Sequence, residues 1–158
     1  EQAECLGDGL CNAALQCLLD CGVSSGYDPA TYDLILIDAF DGAANVPPHL
    51  TTREFFEATR KALRTDGRMM YNFIGTPEGE RNRSYTAISA TLNAAFDYAG
   101  ASVVTGEISV NIILVASQSP LDDLGVFAIP DDGIVLTDDN NPMEIFLREA
   151  RDFTYFRR

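Results

Sequence analysis

The chain has 158 residues and a mass of 17.2 kDa, which suits one domain and leaves no room for two ordinary ones. Hydrophobic residues at 46% and charged residues at 22% exclude wholesale disorder. Acidic side chains number 24 against 11 basic ones, a net charge of −13; this argues against non-specific nucleic-acid binding, which rests on cations neutralising phosphates, and it suits cationic ligands.

The N-terminus begins with Glu1 rather than Met, so a processed chain or a piece of a longer protein is expected. It lacks the basic-then-apolar pattern of a signal peptide, and no apolar run reaches bilayer length. Residues 3–6 (AECL) read as the stub of a strand, and Gly7-Asp8-Gly9 as a turn. Leu10, Ala13, Ala14, Cys17 and Leu18 recur at helical spacing, predicting a helix over Leu10–Leu19. All the cysteines, Cys5, Cys11, Cys17 and Cys21, fall in this region. A secreted disulfide scaffold spreads its cysteines to close long loops, so reduced thiols and a cytoplasmic location are expected. There is no C-x-x-C, and the single histidine, His49, is distant in sequence; small buried side chains, and no metal, are the reading. Residues 22–31 are a loop by composition.

Tyr32 to Phe40 reads YDLILIDAF, and its apolar run Leu34–Ile37 predicts a strand buried on both faces of a parallel sheet. Gly42 and Pro47-Pro48 mark a loop. Thr51 or Thr52 caps a helix with Glu54 and Glu57 near its positive end, and Asp66-Gly67 is expected to stop it after Leu63. Phe55, Phe56, Thr59, Ala62 and Leu63 form its buried side. A strand follows at Arg68–Ile74, then a helix over Asn82–Tyr98. Two close strands come next, at Ser102–Ile108 and Val110–Ser117. Residues 119–141 are loop-rich and acidic, and Pro142–Arg151 is a short helix. This alternation predicts an α/β sheet, mostly parallel, with helices on both faces and an antiparallel hairpin at one edge.

In open α/β sheets, ligands bind beyond the carboxyl ends of the strands. Asp38 ends the strand at 32–40, and Asp41 lies three residues on, across a turn. Such a pair holds a cationic amine from two directions, and one carboxylate takes its proton as it attacks. The plain alternative is that Asp41 starts a turn and Asp38 caps the loop. Asp8 faces the same crevice if the stub lies alongside. Tyr71 and Asn72 share a strand, so one of them faces outwards. His49 follows two prolines in a loop, where it either lines a pocket mouth or, as is commoner for a lone surface histidine, has no role. The pairs Asp122-Asp123, Asp131-Asp132 and Asp138-Asp139 lack the alternation and distal Glu of a calcium loop, and read as solvated loop charge.

YDLILIDAFDG, VPPHLTTREFF, GRMMYNFIG and the late VLTDDNNPME together resemble the polyamine aminopropyltransferase (spermidine synthase-like) family, well over residues 32–75 and more loosely over 134–146. The resemblance implies the Rossmann-like class I S-adenosylmethionine-dependent methyltransferase fold. It also implies that residues 1–158 are a single, incomplete domain, the C-terminal portion of that sheet. Asp38 then matches the family's base for the attacking amine and Asp41 its polyamine anchor. Asp8 and Gly9 match the acidic turn that contacts the adenine of the co-substrate, decarboxylated S-adenosylmethionine. The family's glycine-rich turn precedes that acidic turn, and nothing in this chain matches it. Where authentic spermidine synthases read D-S-S-D-P and carry Gln-x-Glu after the next strand, this chain reads DAFDG and YNFIG. That form is similar to spermidine synthase-like proteins, including some fused to membrane transporter segments, so a membrane segment is expected only in a longer parent.

The implied function is transfer of an aminopropyl group to a small polyamine, with no nucleic-acid partner and with self-association through an uncovered sheet edge. Two alternatives stand beside it: a methyltransferase using S-adenosylmethionine, and a truncated, non-catalytic module.

Overall fold

The computed structural model describes residues 30–40, 45–79, 82–105, 110–122 and 124–152. The strand stub, the acidic turn and the cysteine-bearing helix expected before residue 30 lie outside these. In chain order the described elements are β1 (Tyr32–Ile37), a 3-10 turn (Pro48–Leu50), α1 (Arg53–Ala62), β2 (Leu63–Ile74) and α2 (Arg83–Ala95). They continue with β3 (Tyr98–Thr105), β4 (Val110–Ser117), β5 (Phe127–Ala128) and α3 (Met143–Asp152).

The strands form one sheet in the order β1-β2-β4-β3-β5. Of the four pairings among the described residues, only β1 with β2 is parallel. The sequence led us to expect a mostly parallel sheet with the hairpin at an edge. Instead β4 turns back between β2 and β3, so the hairpin lies inside the sheet and the two-residue β5 is the neighbour beyond β3. β1, β2 and β3 still run in the same sense, because β3 is antiparallel to a strand that is itself antiparallel to β2. The fold is thus mixed α/β.

Strand alternation separates the two faces. Ile35 and Ile37 of β1 stand opposite Met69 and Tyr71 of β2, which stand opposite Ala116 and Leu114 of β4. All are buried and share one core with Phe55 and Phe56 of α1, Ile88 and Leu92 of α2, and Met143 and Phe146 of α3. Burying such side chains is the main favourable term, about 1.5–3 kcal/mol each. The other face carries Leu34 and Leu36, which are 53% and 67% exposed. The apolar run of β1 is therefore covered on one face only among the described residues, contrary to the expectation for a strand buried on both.

Helix α1 starts where its sequence directs. The Thr52 hydroxyl accepts a hydrogen bond from the Phe55 N–H at 3.3 Å, Glu54 occupies the first turn, and Arg60 and Lys61 the last. It ends at Ala62, because Leu63 is already extended and pairs with Tyr32. Asp66-Gly67 is therefore not a helix stop. The register jumps from Leu63 opposite Tyr32 to Arg68 opposite Leu34, so residues 64–67 bulge out of the ladder. A Cβ on Gly67 would lie 2.7 Å from the Tyr32 carbonyl oxygen, which makes glycine a requirement of that bulge. No helix among the described residues is long and apolar enough to cross a membrane.

Candidate active site

β1 delivers Asp38 to its carboxyl end, where the side chain is exposed. The register that sets Ile37 opposite Tyr71 continues to place Asn72 beside Asp38. The Asn72 Nδ2 donates to Asp38 Oδ1 at 2.9 Å. An ionised carboxylate only accepts hydrogen bonds, so the amide nitrogen must face it. The Asn72 side-chain Oδ1 is then turned away, buried and without a hydrogen-bond partner among the described residues. No cationic side chain among the described residues pairs with Asp38, whereas Asp33 and Asp97 are held by Arg64 and Arg60. A carboxylate left in this way is available to an amine.

Tyr71, the neighbour of Asn72, faces the core. Its hydroxyl donates to the Leu50 carbonyl at 3.2 Å, and its ring meets Phe56 edge-on with centroids 5.8 Å apart. Burial pushes its hydroxyl pKa far above the ordinary phenol range, so it does not act as an acid or base near neutrality. Its work is to tie the end of the loop that follows Asp38 to β2.

The start of α1 lies at the same end of the sheet as Asp38, since α1 carries the chain back to Leu63 opposite the beginning of β1. There a cavity of about 630 Å³ opens, walled by His49, Thr52, Glu54 and Phe55 on one side and by Asp138 and Asn141 on the other. The late acidic loop is laced onto this end by backbone and amide hydrogen bonds. Asn141 Nδ2 donates to the Pro48 carbonyl at 2.7 Å and to the Thr51 hydroxyl at 3.2 Å. Its Oδ1 accepts from the Met143 N–H at 3.1 Å, which starts α3. The Asp138 N–H donates to Glu54 Oε2 at 3.1 Å, and the Arg53 N–H to the Leu136 carbonyl at 2.8 Å. The Leu136 N–H reaches the Thr91 hydroxyl at 2.9 Å. The stretches VPPHLTTREFF and VLTDDNNPME, about 90 residues apart, thus meet in space.

Of the sequence-predicted residues, Asp38 is at a strand tip and His49 is exposed at the cavity. Asp41, Asp8 and Gly9 lie outside the described residues. Asp122, Asp131, Asp132, Asp138 and Asp139 are exposed, and no cluster of three metal-binding side chains occurs among the described residues. Sequence reasoning missed Asn141, whose one signal was an Asn directly before Pro142 at a helix start. It also missed the contact of Asn72 with Asp38, which local pattern does not carry.

No protein-family model matches the chain. Over 72 residues it is 36% identical to a polyamine aminopropyltransferase of Vibrio vulnificus (strain CMCP6), a stretch covering 46% of this chain and 22% of that protein. The chain therefore spans under a quarter of that curated relative's length. Among solved structures it is similar to a probable spermidine synthase from Corynebacterium glutamicum ATCC 13032, with a TM-score of 0.51 and 27% identity over 63% of this chain and 36% of the other. It is also similar to human methyltransferase-like protein 13, solved in complex with SAH, with a TM-score of 0.53 over 72% of this chain and 50% of the other. At 21% identity that second likeness speaks for the fold alone. The fold is that of spermidine synthases and class I methyltransferases, and the sequence resemblance to polyamine aminopropyltransferases is supported.

Proposed function

We propose that this chain is part of a spermidine synthase-like transferase, which moves an aminopropyl group from decarboxylated S-adenosylmethionine to a small polyamine. The observation that carries the reading is the Asp38 carboxylate, exposed at the carboxyl end of β1 with no cationic side chain paired to it among the described residues. A polyamine is cationic near neutral pH, so an unpaired carboxylate attracts it and also supplies a base. In this reading Asp38 takes a proton from the ammonium group of the acceptor. The nitrogen lone pair then attacks the carbon beside the sulfonium, the C–N bond forms, and the C–S bond breaks with its electrons left on sulfur. Such a displacement needs alignment and removal of water more than covalent help from the protein. Asp41 anchors the distal amine, and Asp8 with Gly9 contacts the adenine. Residues 1–158 act as an incomplete portion of one domain, in a cytoplasmic setting, and no metal takes part.

The experiment is a donor comparison with the complete protein that carries these residues and a diamine acceptor, read by mass spectrometry. Aminopropylated product from decarboxylated S-adenosylmethionine, and no methylated product from S-adenosylmethionine, is the expected result. Methylated product alone transfers the reading to a methyltransferase. Absence of both products means a non-catalytic module.

A further inference from the structure

The sheet face away from the helices is largely apolar. It presents Leu34 and Leu36 of β1, Met70 and Ile74 of β2, and Ile113 of β4. Asn72 stands in the middle of that row, between Met70 and Ile74 and opposite Ile113. Asparagine is a poor strand former, and this one leaves its side-chain Oδ1 buried and without a hydrogen-bond partner among the described residues. An apolar side chain of similar size would fill the site without that penalty. What the amide supplies is one contact, Nδ2 on Asp38 Oδ1 at 2.9 Å. A residue that costs local stability and serves one carboxylate at a strand tip is explained by that carboxylate's work.

An exposed aspartate at the end of a strand turns freely about two side-chain torsions. A base must lie within roughly 2.6–3.2 Å of the proton it removes, so each unproductive rotamer lowers the rate. Fixing Oδ1 on the neighbouring strand leaves Oδ2 as the free acceptor. We propose that Asn72 is a positioning residue that holds the Asp38 carboxylate so that Oδ2 receives the proton of the attacking amine. This rests on the reading of Asp38 as the base. Asn72 touches none of the reacting atoms and exchanges no proton; the proton moves from the ammonium nitrogen to Oδ2, and the bond changes are those given above.

The test uses Asn72→Leu and Asn72→Gln in the complete protein that carries these residues. We expect Asn72→Leu to melt at or above the wild-type temperature, because the orphaned acceptor is gone. Its kcat falls roughly tenfold while KM for the donor stays within about twofold, since orientation rather than binding is lost. Asn72→Gln, which keeps the amide on a longer stem, recovers part of kcat. A wild-type kcat in Asn72→Leu overturns the proposal. So does a loss of kcat with a lowered melting temperature that Asn72→Gln shares in full, which is the mark of a structural role. A second readout does not depend on turnover: the side-chain amide resonances of Asn72 are expected to shift in Asp38→Ala. If they shift and the unaltered protein transfers nothing, the aminopropyl reading fails while the contact stands. If they do not move, the positioning role is wrong whatever the chain catalyses.

Discussion

Tyr71 and Asn72 are neighbours on one strand with opposite fates. The phenol of Tyr71 is fully inside and its burial raises its pKa; burial raises that of Tyr85 as well. For a group whose folded pKa lies above its unfolded value, the contribution to stability is complete below the unfolded pKa, about 10 for tyrosine, and is lost as pH rises beyond it. Melting temperature should therefore fall as pH climbs above about 10, because the unfolded chain releases a proton that the folded chain retains. In Tyr71→Phe that fall should be shallower, while stability at neutral pH drops by about 1 kcal/mol for the lost hydrogen bond to Leu50. Identical alkaline slopes in melting curves of the two proteins would show that Tyr71 is not the group responsible. The sequence told us that one of this pair faces outwards, because alternation is local. It did not tell us that the outward one reaches Asp38, because cross-strand register is set by pairing between segments 34 residues apart.

At the scale of elements, helix starts were legible and sheet order was not. Thr52 and Glu54 mark the start of α1 by chemistry that acts within one turn. The placing of β4 between β2 and β3 depends on non-local ladders, to which a hairpin read from its own residues is blind. The two-residue β5 is too short to leave a period. The acidic stretch, read as plain loop, is instead fastened across α1 and α2. Gly133 marks where it presses closest: a Cβ there would lie 2.2 Å from the Thr86 carbonyl oxygen, backbone that cannot swing aside. Gly133→Ala should cost about 1–3 kcal/mol in denaturant unfolding. A cost near zero would mean that the loop is free to lift from α2.

At the scale of the molecule, the sheet divides, among the described residues, into a face buried under α1, α2 and α3 and a face where β1 shows its leucines. Leu36→Lys should change stability by less than about 0.5 kcal/mol, because Leu36 is 67% exposed. Ile37→Ala, one residue on and 5% exposed, should cost about 2–4 kcal/mol. Equal, large losses in urea unfolding of both variants would show that the Leu36 face is covered in solution. The site was legible as far as Asp38, because an apolar strand ending in a carboxylate is a local pattern with a positional meaning in open α/β sheets. The cavity at the start of α1 was not, since it forms only where segments about 90 residues apart meet at Pro48 and Asn141.

The assignment of Asp38 as the base meets its most direct test in the rate of aminopropyl transfer to a diamine by Asp38→Asn in the complete protein that carries these residues, measured beside the unaltered protein at saturating donor. Because the side chain is exposed, the substitution should leave the melting temperature unchanged. The rate should fall by about 10²-fold or more, the usual worth of a positioned base. Turnover within a factor of about two of the unaltered protein would contradict it, because a carboxamide cannot take the proton that the displacement requires.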